Sequence, residues 1–598
     1  VTLNGLDWFL VICVPALSLA IGIAVGRRSG LNRESYFLSG RQLPWWLLGV
    51  SLVATTFSTD TPNLVTDIVR TGGVSKNWLW WSMLPTGMVT AFIYARLWRR
   101  SGVLTDLEFY TLRYSGGMAS GLRSFRAVYV GVVFNIITLA SVSLAAIKIA
   151  AVMIGAGPLE VLLVLGLATM VFSAAGGFLG VVLSDLVLFV IAIIGAVAAA
   201  VHVLSLPEVG GLSGLLSHPN VAPKLSILPD FRDWETALAV FIIPLTIQWW
   251  SVWYPGSEPG GGGYVAQRML AARNERHAAA AILSFQFAHY ALRPWPWIIV
   301  ALASLIVFPD LDALRQAYPD IPASKVGHDL AYSAMLSGMP HGLLGLMLAS
   351  LAAAYMSTAA TQINWGASYV VNDVWARYVR PGARESELVL VGRLSSAALI
   401  LVSSLLALAL SDALQVFQIM LSVGAGTGLL FLLRWFWWRI NAWSELAAMV
   451  ISFGVSLAMA FLAPPEWSDA FRLCLSVFIT TAGWMLVTVL TPPTDRETLF
   501  EFVRRIDPAG PGWRRVRKEA AAMGVELPSS RTAYLGRAML CIPLSVAAIY
   551  ASLFAIGCAV YGQWLQMAVL TSVALVSSLG IVRFWPHLFD AGPVAEAA

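Results

Sequence analysis

Long apolar runs separated by short polar loops recur along the whole chain. An α-helix needs about 20 predominantly apolar residues to cross the hydrocarbon core of a bilayer. Windows of that kind fall near 7–26, 45–70, 76–97, 123–153, 158–176, 180–205, 236–256, 277–308, 340–375, 387–409, 412–435, 442–463, 467–490, 533–558 and 562–584. The pattern predicts an all-α polytopic membrane protein with about 15 transmembrane helices. Two runs are not uniformly apolar. In WWLLGVSLVATTFSTDTPNLVTDIVR, residues 45–70, two apolar half-helices flank a polar waist from Thr55 to Asn63 that contains Asp60 and Pro62. In LAVFIIPLTIQWWSVWYPGSEPGGGGYVAQR, Pro244 stands inside the run, and Pro255, Gly256 and Gly260 to Gly263 follow it. Proline removes a backbone donor and breaks a helix. Unpaired backbone groups and a carboxylate persist at membrane depth only where they line a cavity or bind something. Interrupted spans at corresponding positions point to a secondary transporter of two inverted five-helix repeats, with substrate and ion held at the breaks.

The expected organisation follows from the position of those breaks. Residues 1–44 form an extra N-terminal helix and a cytoplasmic loop, 45–205 the first repeat, 206–235 an extracellular loop, and 236–435 the second, inverted repeat. Two additional helices (436–490), a basic cytoplasmic linker (491–532) and two C-terminal helices with a tail (533–598) complete the chain. The first run, Trp8 to Val25, lacks the basic flank of a signal peptide and reads as a true helix. Basic residues collect in cytoplasmic loops, and here they occupy every second loop. Arg27, Arg28, Arg33 and Arg41 follow the first span and Arg96, Arg99, Arg100, Arg113, Arg123 and Arg126 the third. Later come Arg268, Arg273 and Arg276, then Arg377, Arg380 and Arg384, Arg434 and Arg439, and a dense cluster from Arg496 to Lys518. This alternation places the N-terminus outside and the C-terminus inside; the chain is expected to be a multi-pass protein of the plasma membrane, a bacterial inner membrane. The 491–532 linker reads as one or two amphipathic helices on the membrane surface, or as a docking element for a partner protein.

Composition narrows the class. The 598 residues are 58% hydrophobic and 12% charged, with mean hydropathy +0.74, values that no soluble protein of this length combines. The net charge of +5 lies in short inter-span loops, which argues against nucleic acid as a partner. Cys13, Cys474, Cys541 and Cys558 stand singly in apolar runs without metal-ligand spacing. The seven histidines fall mostly at loops or span ends, and HExxH and GxSxG motifs are absent, so an enzyme is not expected.

The ninth span, LASLAAAYMSTAATQINWGASYVVND, carries Ser357, Thr358 and Thr361 in an otherwise small, apolar helix. Uncharged oxygen ligands suit a weakly held monovalent cation, although such hydroxyls also bond their own helix or pack against a neighbour. Candidates to face a solute are Thr56, Asp60 and Thr61 on the first core helix, Trp80 and Trp81 on the second, Gln248, Trp249 and Trp253 on the sixth, and Gln418 on the tenth. The tryptophans fit a membrane-interface belt equally well, and Asp60 fits an N-cap for the half-helix beyond the waist. Lys148 in the fourth span is costly unless paired or hydrated. It either snorkels to the outer interface or serves the solute or Asp185.

Several ordered motifs resemble the sodium:solute symporter family, which has a LeuT-like inverted-repeat core. They are ESYFLSGRQLPWWLLGVSLVATTFS, GGFLGVVLSDLVLF at 176–189, YVAQRMLAARNE at 264–275, the NDVWARYVRP ending of the ninth span, and FLLRWFWWRINAW at 431–443. The resemblance covers roughly residues 30–445 and implies Na+ as the coupling ion. It implies a site of backbone carbonyls at Ala54, Phe57 and Ala354 with the hydroxyls of Ser357 and Thr358. A second ion site of some members implies Asp185 and Thr361, but the intervening ligand position is Ala360 here. Sugar-carrying relatives hold hydroxyls with Glu, Gln and Asn; at the matching positions this chain has Trp80, Thr61 and Gly262 and retains Gln418. The expected function is sodium-coupled import of a small polar organic solute, a sugar, amino acid or other, by alternating access. The alternatives are proton coupling through Asp60 or Asp185, and a transporter-like sensor or assembly subunit that uses the linker or the last two helices to bind a partner protein.

Overall fold

The computed structural model describes residues 3–251, 258–319, 321, 326–410, 427–528 and 532–589. Among the described residues the regular elements are helices, joined by turns and loops, with an isolated backbone bridge between Leu43 and Ala272. The helices used below are α1 (Gly5–Ser29), α2 (Trp45–Thr55), α3 (Asp60–Gly72), α4 (Gly116–Ile154), α5 (Pro158–Ser205), α6 (Gly263–Ala271) and α7 (Glu275–Val307). They continue with α8 (Leu343–Val379), α9 (Glu385–Ala409), α10 (Ala442–Phe461), α11 (Asp469–Leu490), α12 (Thr532–Val560) and α13 (Trp564–Leu588).

Among the described residues ten helices are long and apolar enough to cross a membrane, with Trp45–Thr55 and Trp234–Thr246 as shorter apolar pieces. The expected number of fifteen is not reached by this measure, for physical reasons. Broken spans divide into half-helices, most of the 412–435 run lies outside the described residues, and α5 is a single helical run only in name. Gly177 interrupts it at φ 55°, ψ −156°, a conformation that only glycine adopts at low cost. Tyr36 packs on Gly177, whereas Gly166 lies against Ser404 and Gly195 against Ser350. Arg33 pairs with Glu385 at the start of α9, so Ser404 lies toward the end of the bundle remote from Tyr36. Ser350 lies there too, near the start of α8. The chain therefore runs to Gly177 and folds back.

The waist forms where the sequence concentrates hydroxyls before Pro62. α2 ends at Thr55, Thr56–Thr59 is not helical, and α3 begins at Asp60. Small residues let the neighbouring helices close on it. A Cβ on Gly49 would stand 2.2 Å from Ser284 Oγ of α7, and one on Gly22 of α1 2.7 Å from the Phe172 carbonyl of α5. α8 threads the centre, buried from Met347 to Tyr369 among α1, α4, α5 and α9.

Many of the arginines that read as loop markers are interior. Arg96, Arg113, Arg123, Arg126, Arg268 and Arg434 are all buried. Arg126 pairs with Glu258 at 2.5 Å, Arg123 with Asp373 at 2.6 Å, Arg96 with Glu275 at 2.9 Å and Arg434 with Glu445 at 3.4 Å. Buried guanidinium groups require acceptors, because their desolvation is not otherwise repaid; Arg113 finds them in the carbonyls of Arg434 and Trp437. The linker contains two helices, Arg496–Ile506 and Arg514–Ala522. They pack onto this end of the bundle: Trp513 Nε1 donates to the Trp435 carbonyl at 2.8 Å, and Phe502 stacks on Trp513. At the other end of the chain, Tyr550 of α12 donates to the Trp81 carbonyl at 2.8 Å and Trp295 of α7 donates to the Leu553 carbonyl at 2.9 Å.

Candidate ion and solute site

The waist meets α8 through backbone and hydroxyl groups. Thr358 Oγ1 donates to the carbonyl of Thr55, the last residue of α2, at 2.7 Å. Phe57 N donates to the Ala54 carbonyl at 3.1 Å, which leaves that oxygen a second lone pair. Ala354 lies one helical turn before Thr358 on α8, and Ser357 precedes Thr358. The five groups expected to hold sodium are thus contributed by two elements in direct contact. A hydroxyl that donates its proton keeps oxygen lone pairs for a cation, so the donor set of neutral oxygens fits a hard monovalent ion.

Asp185 stands beside this point on the returning half of α5. It accepts from Ser51 Oγ at 2.5 Å and from Ser357 Oγ at 2.6 Å. The structure brings Asp185 and Thr361 close to each other, but around a guanidinium. Arg268 Nη2 donates to Thr361 Oγ1 at 2.7 Å and to Ser51 Oγ at 3.0 Å, and lies 3.7 Å from Asp185 Oδ2. Thr55 Oγ1 is 2.9 Å from Thr361 Oγ1, closing the network. Arg268 is fully buried and also covers the Phe178 ring at 5.0 Å. Lys148 does not form an ion pair with Asp185, whose cationic neighbour is Arg268.

A cavity lies on the other side of the waist, between the helix around residues 83–90, α6 and α7. Its polar lining comprises Thr86, Thr90, Glu258, Tyr264, Gln286, His289 and Tyr290. Gln286 Oε1 and Glu258 Oε2 are buried acceptors without a hydrogen-bond partner among the described residues. Thr56 Oγ1 is 3.1 Å from His289 Nδ1 and accepts from Arg293 Nη1 at 3.1 Å, while Arg293 Nη2 is 3.2 Å from His289 Nε2. A guanidinium only donates, so His289 accepts at Nε2 and its Nδ1–H donates to Thr56. Trp80 stacks on Tyr290 at 5.7 Å and meets His289 edge-on at 5.8 Å.

The other expected solute residues divide. Asp60 and Thr61 open α3 at the waist and are half-buried. Gln248 and Trp249 form a short 3-10 turn, and the Trp249 carbonyl accepts from Thr86 Oγ1. Trp81 is turned away from the cavity and packs between Trp78 and Phe554. Trp253 and Gln418 lie outside the described residues. Sequence reasoning missed Ser51, Arg268, Gln286, His289 and Arg293. For His289 and Arg293 the available signal was their one-turn spacing in AHYALRPWPW, inside an apolar run.

Comparison with known proteins agrees with this architecture. The sodium:solute symporter family model matches residues 36–452. The chain is 25% identical to the sodium/glucose cotransporter of Vibrio parahaemolyticus, across 77% of this chain and 86% of that one. It is 27% identical to the sodium/myo-inositol cotransporter 2 of Mus musculus, across 75% and 70%. Among solved structures, a Na+-coupled sialic acid symporter in a substrate-bound outward-open state superposes with a TM-score of 0.68 at 20% identity, covering 82% of this chain and 99% of that one. That likeness establishes a common LeuT-like fold. With a family model spanning most of its length, the chain belongs to the sodium:solute symporter family and is a sodium-coupled solute symporter, not an enzyme.

Proposed function

We propose that the chain imports a small polar solute with sodium held by the carbonyls of Ala54, Phe57 and Ala354 and the hydroxyls of Ser357 and Thr358. The observation that carries this assignment is the bond from Thr358 Oγ1 to the Thr55 carbonyl, which joins α8 to the broken end of α2. A cation there holds the two elements together only when both are in register, so ion binding favours one arrangement of the core over another. Solute binding in the adjacent cavity then depends on sodium, and sodium binding on solute, by the same factor. The relatives named for glucose and myo-inositol support a hydroxylated solute, as do the unpartnered acceptors Gln286 Oε1 and Glu258 Oε2, which require donors. The repeats 45–205 and 236–435 are the two moving halves, and the chain sits with its N-terminus outside and C-terminus inside a bacterial inner membrane. The Arg268 guanidinium between Asp185 and Thr361 supports one sodium ion per cycle.

Thermal stability of the purified protein in sodium against potassium tests the ion site. Ligand binding to the native state raises the melting temperature as its concentration passes the dissociation constant. Sodium is expected to stabilise the parent, with Ser357→Ala and Thr358→Ala each losing most of that response. An unchanged sodium response in both variants would overturn the assignment.

A further inference from the structure

The two linker helices cover a seam between two bodies of the bundle. The first body holds residues Ala95–Ser101, α6 and the start of α7. Arg96 and Arg100 pair with Glu275 at 2.9 and 2.6 Å, and Arg99 Nε donates to the Ala272 carbonyl at 2.7 Å. Leu43, just before α2, donates to the Ala271 carbonyl at 3.2 Å and joins α2 to this body. The second body holds the helix Glu108–Arg113, α4 and the end of α8. There Arg123 pairs with Asp373 at 2.6 Å and donates to Thr111 Oγ1 at 3.1 Å. The bond from Thr358 of α8 to the Thr55 carbonyl of α2 crosses from one body to the other, so the candidate ion site lies in the same seam. A secondary transporter exposes its site to one side at a time by rocking one body against the other. Exposure at the linker end requires the seam to part there, and it is closed by Arg126 on Glu258 at 2.5 Å and by the Gly263 N–H on Asp106 Oδ2 at 2.9 Å.

The linker is bound to both bodies. On the first, the Ile506 carbonyl accepts from Arg100 Nη1 at 3.4 Å. On the second, the Asp495 N–H donates to Ser115 Oγ at 3.0 Å. Phe502 and Trp513, both fully buried, stack on each other and lie against the Arg113 guanidinium at 5.3 and 4.8 Å. Cation–π contacts of this kind gain strength where water is excluded. The linker helices thus spend their apolar faces on the core and leave Arg504, Arg505, Arg514 and Arg515 exposed. Parting of the seam breaks one set of these contacts or the other. A segment that fits only the closed arrangement shifts the equilibrium toward it by its difference in affinity for the two states. We propose that the linker is a clamp on the transport cycle: docked across the seam it holds this end of the bundle closed, and release of Phe502 and Trp513 from Arg113 lets the two bodies part.

Hydrogen–deuterium exchange of the full-length protein in detergent tests the clamp. Exchange of a backbone amide follows its local opening equilibrium, and α6 is the place to read it, because it packs on residues 95–101, α7 and α8. Trp513→Ala is expected to speed exchange of the 263–271 amides by about fivefold or more, the low end of a coupling between distant sites. Exchange in α9, which packs on α4, α5 and α8, is expected to stay at the parent rate. Arg504→Gln, on the exposed face of the linker, is expected to leave both helices unchanged. Unchanged exchange of α6 in Trp513→Ala would overturn the proposal, since the linker would then be packed there without holding the seam. Equal acceleration of α9 would overturn it as well, because the effect would be a general loosening. If Trp513→Ala does not fold, Gly512→Ala supplies the same reading: a Cβ there runs into the Phe436 carbonyl and presses the linker off the core. The exchange is read without added solute and on one ion composition, so its outcome is independent of the thermal test of the ion site.

Discussion

At the scale of single residues, the charge network beside the waist shows what hydropathy conceals. Arg268 sits in YVAQRMLA close to a polar segment, so it reads as a loop marker, yet it is fully buried with Asp185 and three hydroxyls around it. A window average cannot tell an arginine that ends a helix in water from one that ends it inside a protein. His289 is concealed in the same way, since its position near the end of an apolar run does not say which way the ring points. By contrast Ser357 and Thr358 stand out in the sequence, because hydroxyls are conspicuous in a helix of Ala, Leu and Met. The burial of Arg268 leads to a definite expectation. Removing one partner of a buried pair leaves an uncompensated charge and costs about 3–5 kcal/mol. Arg268→Met and Asp185→Asn should each lower the melting temperature strongly, and the double variant should lose much less than the sum. A double-mutant cycle in detergent checks this; strictly additive losses would show that the two groups do not act as a pair.

At the scale of elements, the breaks carry most of the functional information. The waist was legible because Pro62 and a run of hydroxyls interrupt an otherwise apolar span, and the helix stops at Thr55 and resumes at Asp60. The second break was legible from Pro244 and the glycine run, but residues 252–257 at its centre lie outside the described set. The fold-back at Gly177 left a weaker trace, a pair of glycines in an apolar stretch, and its necessity appears only in the backbone. At φ 55° and ψ −156° any side chain is strained, and a Cβ would stand 2.8 Å from the Tyr36 ring and 2.9 Å from the Tyr36 carbonyl. Gly177→Ala should therefore destabilise by about 1–3 kcal/mol. Gly454→Ala, in the middle of α10 with nothing within 4 Å of the added Cβ, should be neutral or stabilise by up to about 1 kcal/mol through helix propensity. Melting temperatures of the two variants, measured side by side in one detergent, separate backbone strain from a general intolerance of substitution at glycine.

At the scale of the molecule, the class was readable from length and apolarity because every crossing helix must satisfy its backbone internally, and that requirement writes long apolar runs into the chain. The arrangement around the site was not readable, since it depends on how each helix is rotated about its axis. Orientation rests on the alternation of basic loops, and several of those arginines prove to be interior and paired, which weakens their weight as markers. The remaining asymmetry is still one-sided. The linker carries Arg496, Arg504, Arg505, Arg514, Arg515, Arg517 and Lys518, and it packs on the same end of the bundle as Arg113 and Trp435. The segment around Asp312 lies at the opposite end, near the close of α4 where Lys148 stands. Cysteine labelling can decide between the two orientations of this body. In a background without the four native cysteines, Asp312→Cys and Glu501→Cys each place a thiol at a well-exposed position, 77% and 57% for the native side chains. A membrane-impermeant maleimide applied to intact cells should label the first and spare the second until the membrane is opened. The reverse pattern would place the linker outside and overturn the orientation read from the basic loops.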